Sequence, residues 1–133
     1  MPFSRSPYLS FAALAFGAFP TFVGLQFLIY PLSGLSLLGY AIPSEPSTRD
    51  LSASLLRFYG ARDLTLGMIT LAVWKSGDRR TLGFTMALGT TLAIMDGFIN
   101  QADVSGGAWK HWVFVPVGGF IAAGTLGLLD GVL

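Results

Sequence analysis

The sequence predicts an all-α integral-membrane protein, a four-helix bundle with both termini in the cytoplasm, and three observations predict it. Hydrophobic residues make up 53% of the 133-residue chain and charged residues only 11%, with a mean hydropathy of +0.65; a soluble domain carries about twice that charge. Four apolar segments, 7–30, 51–74, 82–99 and 112–129, nearly fill the chain as a single domain, 1–133. Each is close to the roughly 20 helical residues that cover a hydrocarbon core about 30 Å thick. The connections differ in charge: Arg5, Lys75, Arg79 and Arg80 fall on one side, whereas Arg49 and Lys110 on the other are offset by Glu45, Asp50 and Asp103. The positive side is the cytoplasmic one.

The first segment, Pro7 to Tyr30, follows one arginine and contains small residues. It differs from a secretory signal because its apolar run exceeds the usual h-region of about 7–15 residues and no polar cleavage region follows. The connection Pro31 to Asp50 begins PLSGLSLLGYAIP, too apolar for a solvated loop. It is expected to dip into the interface or pack over helix ends as a lid. The polar SEPSTRD then returns to water, with Ser47 or Thr48 as the cap of the next helix and Asp50 in its first turn. The second and third segments, 51–74 and 82–99, are joined by the short polar turn Lys75-Ser-Gly-Asp-Arg-Arg80 and so form an antiparallel hairpin. The third connection, Asn100 to His111, is a second lid candidate. In the fourth segment Gly119, Ala123 and Gly127 repeat every four residues, a stripe that permits close helix approach. Pro20 and Pro116 are tolerated inside membrane helices as kinks.

Several function classes are excluded. Without cysteine there is no disulfide, thiolate metal site or cysteine nucleophile, and His111 is the single histidine. No metal site and no cofactor are expected. A net charge of +1 offers no nucleic-acid surface, and no phosphate-binding glycine loop is present. The partners expected are the lipid bilayer and a lipophilic small molecule, with a homo-oligomer as an open option.

What remains is charge inside apolar segments: Arg57, Arg62 and Asp63 in the second and Asp96 in the third. Each costs roughly 2.5–3.5 kcal/mol at a bilayer centre, so such groups pair with one another or face a polar cavity. At 100° per residue Gly60, Asp63, Gly67, Thr70 and Trp74 share a face, with Arg57 at its edge as the nearer intrahelical neighbour of Asp63. Arg62 lies about 100° round, facing another helix or leaning to the interface. On the third helix Leu82, Met86, Gly89, Ala93, Asp96 and Asn100 form a stripe that can face the first. A hairpin turning near Gly77 and Asp78 sets Asp63 level with Leu92 and Arg57 level with Phe98, bringing Asp96 within about a turn of both. Gln26, Tyr30, Trp109, His111 and Trp112 belong to the same depth. Each residue also has a plainer role: helix-locking ion pairs for the charges, snorkelling for Arg62, an interfacial position for His111, and an aromatic belt for Tyr30, Trp109 and Trp112. The number of polar groups at one depth favours a site. Two carboxylates beside an arginine can serve as base and acid without metal or cofactor.

The run Arg57-Phe-Tyr-Gly-Ala-Arg-Asp63, the small residues after it, the turn Gly77-Asp-Arg-Arg80 and Asp96 closing the third helix resemble a family of small four-helix membrane proteins catalogued as a domain of unknown function. The resemblance is strongest from Leu56 to Phe98. It implies an association with fungal natural-product pathways, in which small membrane proteins open epoxides, cyclise polyenes or terpenoids, or oxidise anthrones without a cofactor, and a location in the endoplasmic reticulum or another endomembrane. Among these options epoxide opening suits the residues best, being similar at the site level to the Asp, Arg, Asp arrangement of limonene-epoxide-type hydrolases on an unrelated fold. The expected activity is therefore an epoxide hydrolase or epoxide-opening cyclase acting on a polyketide or terpenoid. Asp63 or Asp96 is the base and the other the acid, Arg57 or Arg62 orients the pair, and Gln26, Tyr30, Tyr59, Asn100, His111 and Trp112 form the substrate and water contacts. The alternative is a structural or binding membrane protein with helix-locking Arg/Asp pairs; a proton-coupled carrier is weaker, since no inverted repeat is visible.

Overall fold

The computed structural model describes residues 2–103 and 109–132, and these are helices and turns with no strand among them. A short 3-10 turn, Phe3–Arg5, leads into α1 (Pro7–Ile29), followed by α2 (Pro31–Leu38), α3 (Pro46–Ser76), α4 (Arg79–Asp103), α5 (Trp109–Trp112) and α6 (Phe114–Thr125). Helices α1 and α4 are long and apolar enough to cross a membrane. Large apolar side chains also point outward, among them Phe11, Phe22, Phe58, Leu88 and Phe98.

The apolar connection after α1 is itself helical. Pro31 starts α2 at its first position, and Gly39, at φ 93°, ends it in the left-handed region that only glycine enters without penalty. Leu35 of α2 is buried with Phe27 of α1 and Leu56 of α3, so α2 lies across the helix ends as a lid. α3 begins five residues before the apolar run, at Pro46, and its cap is Glu45 rather than Ser47 or Thr48. A residue preceding proline is pushed into extended backbone, and Glu45 sits at φ −76°, ψ 127°. From there its carboxylate accepts from the Ser47 and Thr48 amides at 3.0 and 2.6 Å and from both hydroxyls.

The fourth segment departs most from expectation. Instead of one helix over 112–129, α5 and α6 are separated by a turn at Val113. Pro116 explains the break, because it has no N–H to donate to the Trp112 carbonyl and its ring crowds that oxygen. The far end stops at Thr125, and Gly127 turns with φ 79°. Twelve residues reach only about 18 Å, short of a bilayer core.

Packing is chiefly α1 on α3 and α4 on α6. The first pair meets backbone to backbone: a Cβ on Gly60 would lie 2.7 Å from the Gly24 carbonyl oxygen, and one on Gly67 would lie 2.6 Å from the Thr21 amide. In the second pair the small-residue stripe is one position from the expected one. Gly118, Ala122 and Thr125 are buried, and a Cβ on Gly118 would collide with the Thr90 hydroxyl, whereas one on Gly119 would meet nothing within 4 Å. Leu9, Ala13, Leu82, Met86, Ile121 and Ala122 close the core at the end holding the termini. There Arg79 donates to the Ser4 and Arg5 carbonyls, and Asp130 accepts from the Ser4 amide and hydroxyl, so both termini and the α3–α4 turn share one end.

Candidate functional site

The glycine contact decides where the charges point. With Gly60 and Gly67 pressed on α1, the positions rotated away from that contact, Tyr59, Arg62, Asp63 and Leu66, are turned toward α4. On α4, Gly89 and Ala93 present almost no side chain, and a Cβ on Gly89 would touch only Leu66, at 3.9 Å. The gap between α3 and α4 is therefore a cavity of about 370 Å³. Its walls are mainly apolar, from Phe16, Phe19 and Phe27 of α1 and Phe114 of α6, and its polar groups converge at Arg62, Asp63 and Asp96.

Arg62 bridges the two carboxylates. Its Nη2 donates to Asp96 Oδ2 at 2.7 Å and its Nη1 to Asp96 Oδ1 at 3.1 Å. Nε and Nη2 donate to Asp63 Oδ1 at 3.2 and 3.1 Å. Tyr59 adds a third donor to Asp96, its hydroxyl 2.8 Å from Oδ2, and its ring carries the guanidinium, whose Cζ lies 4.0 Å from the ring centre. The plane of the guanidinium thus has a stacking partner and the edges have acceptors, a combination lysine does not offer. The side chains of Asp63 and Asp96 are only 16% and 14% exposed, against 35% for Arg62, so the carboxylates face inward and the cation bridges from the rim. Among the described residues, every bond at Asp96 is one it accepts, engaging both oxygens, while Asp63 Oδ2 takes none.

The structure brings together Asp63, Asp96, Arg62, Tyr59 and His111, and separates others. Arg57 is exposed and lies in a groove with Tyr30, Ser33, Arg49 and Asp50, away from the carboxylates. Six residues put it about 120° round from Asp63 and about 9 Å along the axis, whereas Arg62 is one residue away and its flexible stem covers the difference in phase. Tyr30 is 65% exposed, and Gln26 lines none of the cavities described here. Trp112 stacks edge-on against Phe98 with ring centres 4.9 Å apart and covers Gly97; its neighbour Trp109 is the cavity residue. Asn100 lies one turn beyond Asp96, with its Nδ2 donating to the Leu38 carbonyl at 3.1 Å. His111, which precedes the fourth apolar segment, is half-buried, and that burial moves its pKa below the ordinary imidazole value. The lid expected over Asn100 to His111 is partly α4 itself, and 104–108 lie outside the described residues.

The apolar wall is not legible in the sequence. Phe16, Phe19 and Val23 follow helical spacing on α1, but nothing in their pattern distinguishes a face lining a hollow from one meeting lipid. Lys110, a charge of the third connection in the sequence, holds the Leu37 carbonyl at the end of α2 through its Nζ, 2.7 Å away.

Among the described residues, no group of three or more histidine, cysteine or acidic side chains is placed to hold a metal. The arrangement can donate to and accept from a polar group on an otherwise apolar molecule, with two carboxylates sharing one cation. No characterised protein and no solved structure matches the chain. Residues 17–126, which include Tyr59, Arg62, Asp63, Asp96 and His111, match the family described as "Domain of unknown function (DUF4267)", and the chain belongs to that family.

Proposed function

We propose that the chain is an integral-membrane, cofactor-free enzyme that opens an epoxide in a lipophilic natural product, by hydrolysis or by ring closure onto a substrate hydroxyl. In this reading four segments lie in an endomembrane, with both termini and the α3–α4 turn on the cytoplasmic face. The supporting observation is one guanidinium held between two inward-facing carboxylates in the wall of an apolar cavity. Asp96, an acceptor at both oxygens, takes a proton from water as the water oxygen attacks an epoxide carbon. The carbon–oxygen bond breaks, and Asp63 delivers a proton from Oδ2 to the departing oxygen. Arg62 keeps both carboxylates at the reacting group, and the proton returns from Asp96 to Asp63 through water. The same site-level likeness to limonene-epoxide-type hydrolases supports these roles.

The test uses purified protein in detergent with the terminal epoxide of dodecene in heavy-oxygen water. Diol carrying the heavy atom after a single turnover is expected, with a loss of about a hundred- to ten-thousandfold in Asp63→Asn and in Asp96→Asn. Turnover retained in both variants would sink the proposal.

A second reading is a non-catalytic membrane protein in which the bridge locks α3 to α4. It is favoured by the fact that, among the described residues, the side-chain hydrogen bonds joining α3 to α4 are those Asp96 accepts from Tyr59 and Arg62. In that case each asparagine variant loses stability and no turnover is seen with the epoxide.

A further inference from the structure

A second cavity, of about 340 Å³, lies under α2 and shares Leu38, Tyr59, Arg62, Asp96 and His111 with the large one. The polar cluster is thus a partition between an apolar chamber and a smaller one whose walls include Ser52, Tyr40 and Asn100. Asn100 is 4% exposed. Its Nδ2 is committed to the Leu38 carbonyl, and its Oδ1 has no hydrogen-bond partner among the described residues. The orientation of the amide follows from chemistry, since a carbonyl oxygen only accepts and so must face the NH2 group. The oxygen is left as a buried acceptor, and an acceptor deprived of both water and protein donors is strongly disfavoured.

We propose that the ligand of the large cavity is a lipophile bearing a hydroxyl group, which reaches past the Arg62 partition into the chamber under α2 and donates to Asn100 Oδ1. The proposal rests on the reading of the large cavity as the seat of a lipophilic molecule, and not on the epoxide chemistry. Asn100 stands one helical turn beyond Asp96, about 6 Å along the axis. At that distance Asp96 does not take the hydroxyl proton, so the group anchors the molecule and sets which of its carbons lies at the carboxylates. The same amide holds the end of α2 through Leu38, and Lys110 holds the adjacent Leu37 carbonyl. Reading the hydroxyl and seating the lid are therefore done by one side chain.

Decanol and nonyl methyl ether, isomers of equal chain length that differ in the O–H donor, test this by titration of tryptophan fluorescence in the detergent-solubilised full chain, with Trp109 as cavity reporter. The alcohol is expected to bind about tenfold more tightly, the worth of one hydrogen bond of ordinary strength. Asn100→Leu removes the acceptor, and Ser52→Leu fills the chamber without touching Asn100's own atoms. Both should bring the alcohol down to the affinity of the ether. Should Asn100→Leu fail to fold, Ser52→Leu decides alone. Equal binding of the two probes by the unaltered protein, as when water alone partners Oδ1, overturns the proposal and leaves the lipophilic cavity standing. So does a preference that survives both leucine variants. Failure of both probes to bind overturns the lipophilic reading of the cavity and this inference together.

Discussion

Replacing Asp96 and Asp63 by asparagine, one at a time, removes a carboxyl oxygen from two places that the structure treats differently. Asp96 accepts three bonds spread over both oxygens, from Tyr59 and from two nitrogens of Arg62. An asparagine there can keep its oxygen toward Tyr59 and Nη2, but its NH2 group then opposes Nη1, donor against donor. One charge-assisted bond, worth about 1.5–3 kcal/mol, is lost and the others weaken toward the neutral value. Allowing for the partial exposure of Arg62, the expected loss is about 3 kcal/mol. Asp63 receives Arg62 at Oδ1 alone, so an asparagine retains both contacts and the loss is about 1 kcal/mol. Thermal unfolding in one detergent, followed by helical circular dichroism, measures both. At roughly 2–5 °C per kcal/mol for a chain of this size, Asp96→Asn should melt several degrees below Asp63→Asn. Equal melting temperatures, or the reverse order, would refute the bridge geometry. In the epoxide assay the two variants should be similarly inactive, because each removes one half of the proton transfer.

Two other perturbations follow from the fold. Gly24→Ala would put a Cβ 2.5 Å from the Gly60 oxygen and 2.9 Å from the Leu64 Cα, backbone that cannot step aside, so a loss of about 1–3 kcal/mol or more is expected. Gly119→Ala, with nothing within 4 Å, should instead gain up to about 1 kcal/mol from helix propensity; the two melting shifts must have opposite signs. Glu45 is held down to about 2 from its ordinary 4.5, first by the Thr48 hydroxyl and then by Ser47 and the two amides. Its folded value lies below its unfolded one, so its cap is fully stabilising above about pH 4.5 and is lost as the pH falls toward 2. The melting difference between the unaltered protein and Glu45→Gln should shrink across that window, and a difference independent of pH would refute the cap.

Much of the site is written in local spacing. Asp63 and Asp96 fall at one level because the short turn at Gly77 and Asp78 sets the hairpin register, and Tyr59 stands one turn before Asp63 on the same helix. Arg62 was legible as a buried charge but not as the bridge, because phase angles locate a Cα and say little about a long stem that bends back over its neighbour. Arg57 illustrates the converse: about 120° of phase and about 9 Å of axial distance from Asp63 leave it on the outside. The split of the fourth segment was legible in Pro116, whose effect depends only on its own missing N–H. Asn100 as a held amide with a spare oxygen was not legible, since Leu38 is 62 positions away in the chain.

By itself, the amino-acid sequence determined the helical class, the apolar outer surfaces and the hairpin level of the two carboxylates. These follow from composition and from contacts within a few turns of helix. Only the tertiary structure decided which face of α3 the glycines consume, and with it which side chains are left to face α4. It also decided that the space between those helices is hollow and divided by Arg62. A cavity is made of what distant segments do not fill, and no local pattern encodes an absence shared by several helices.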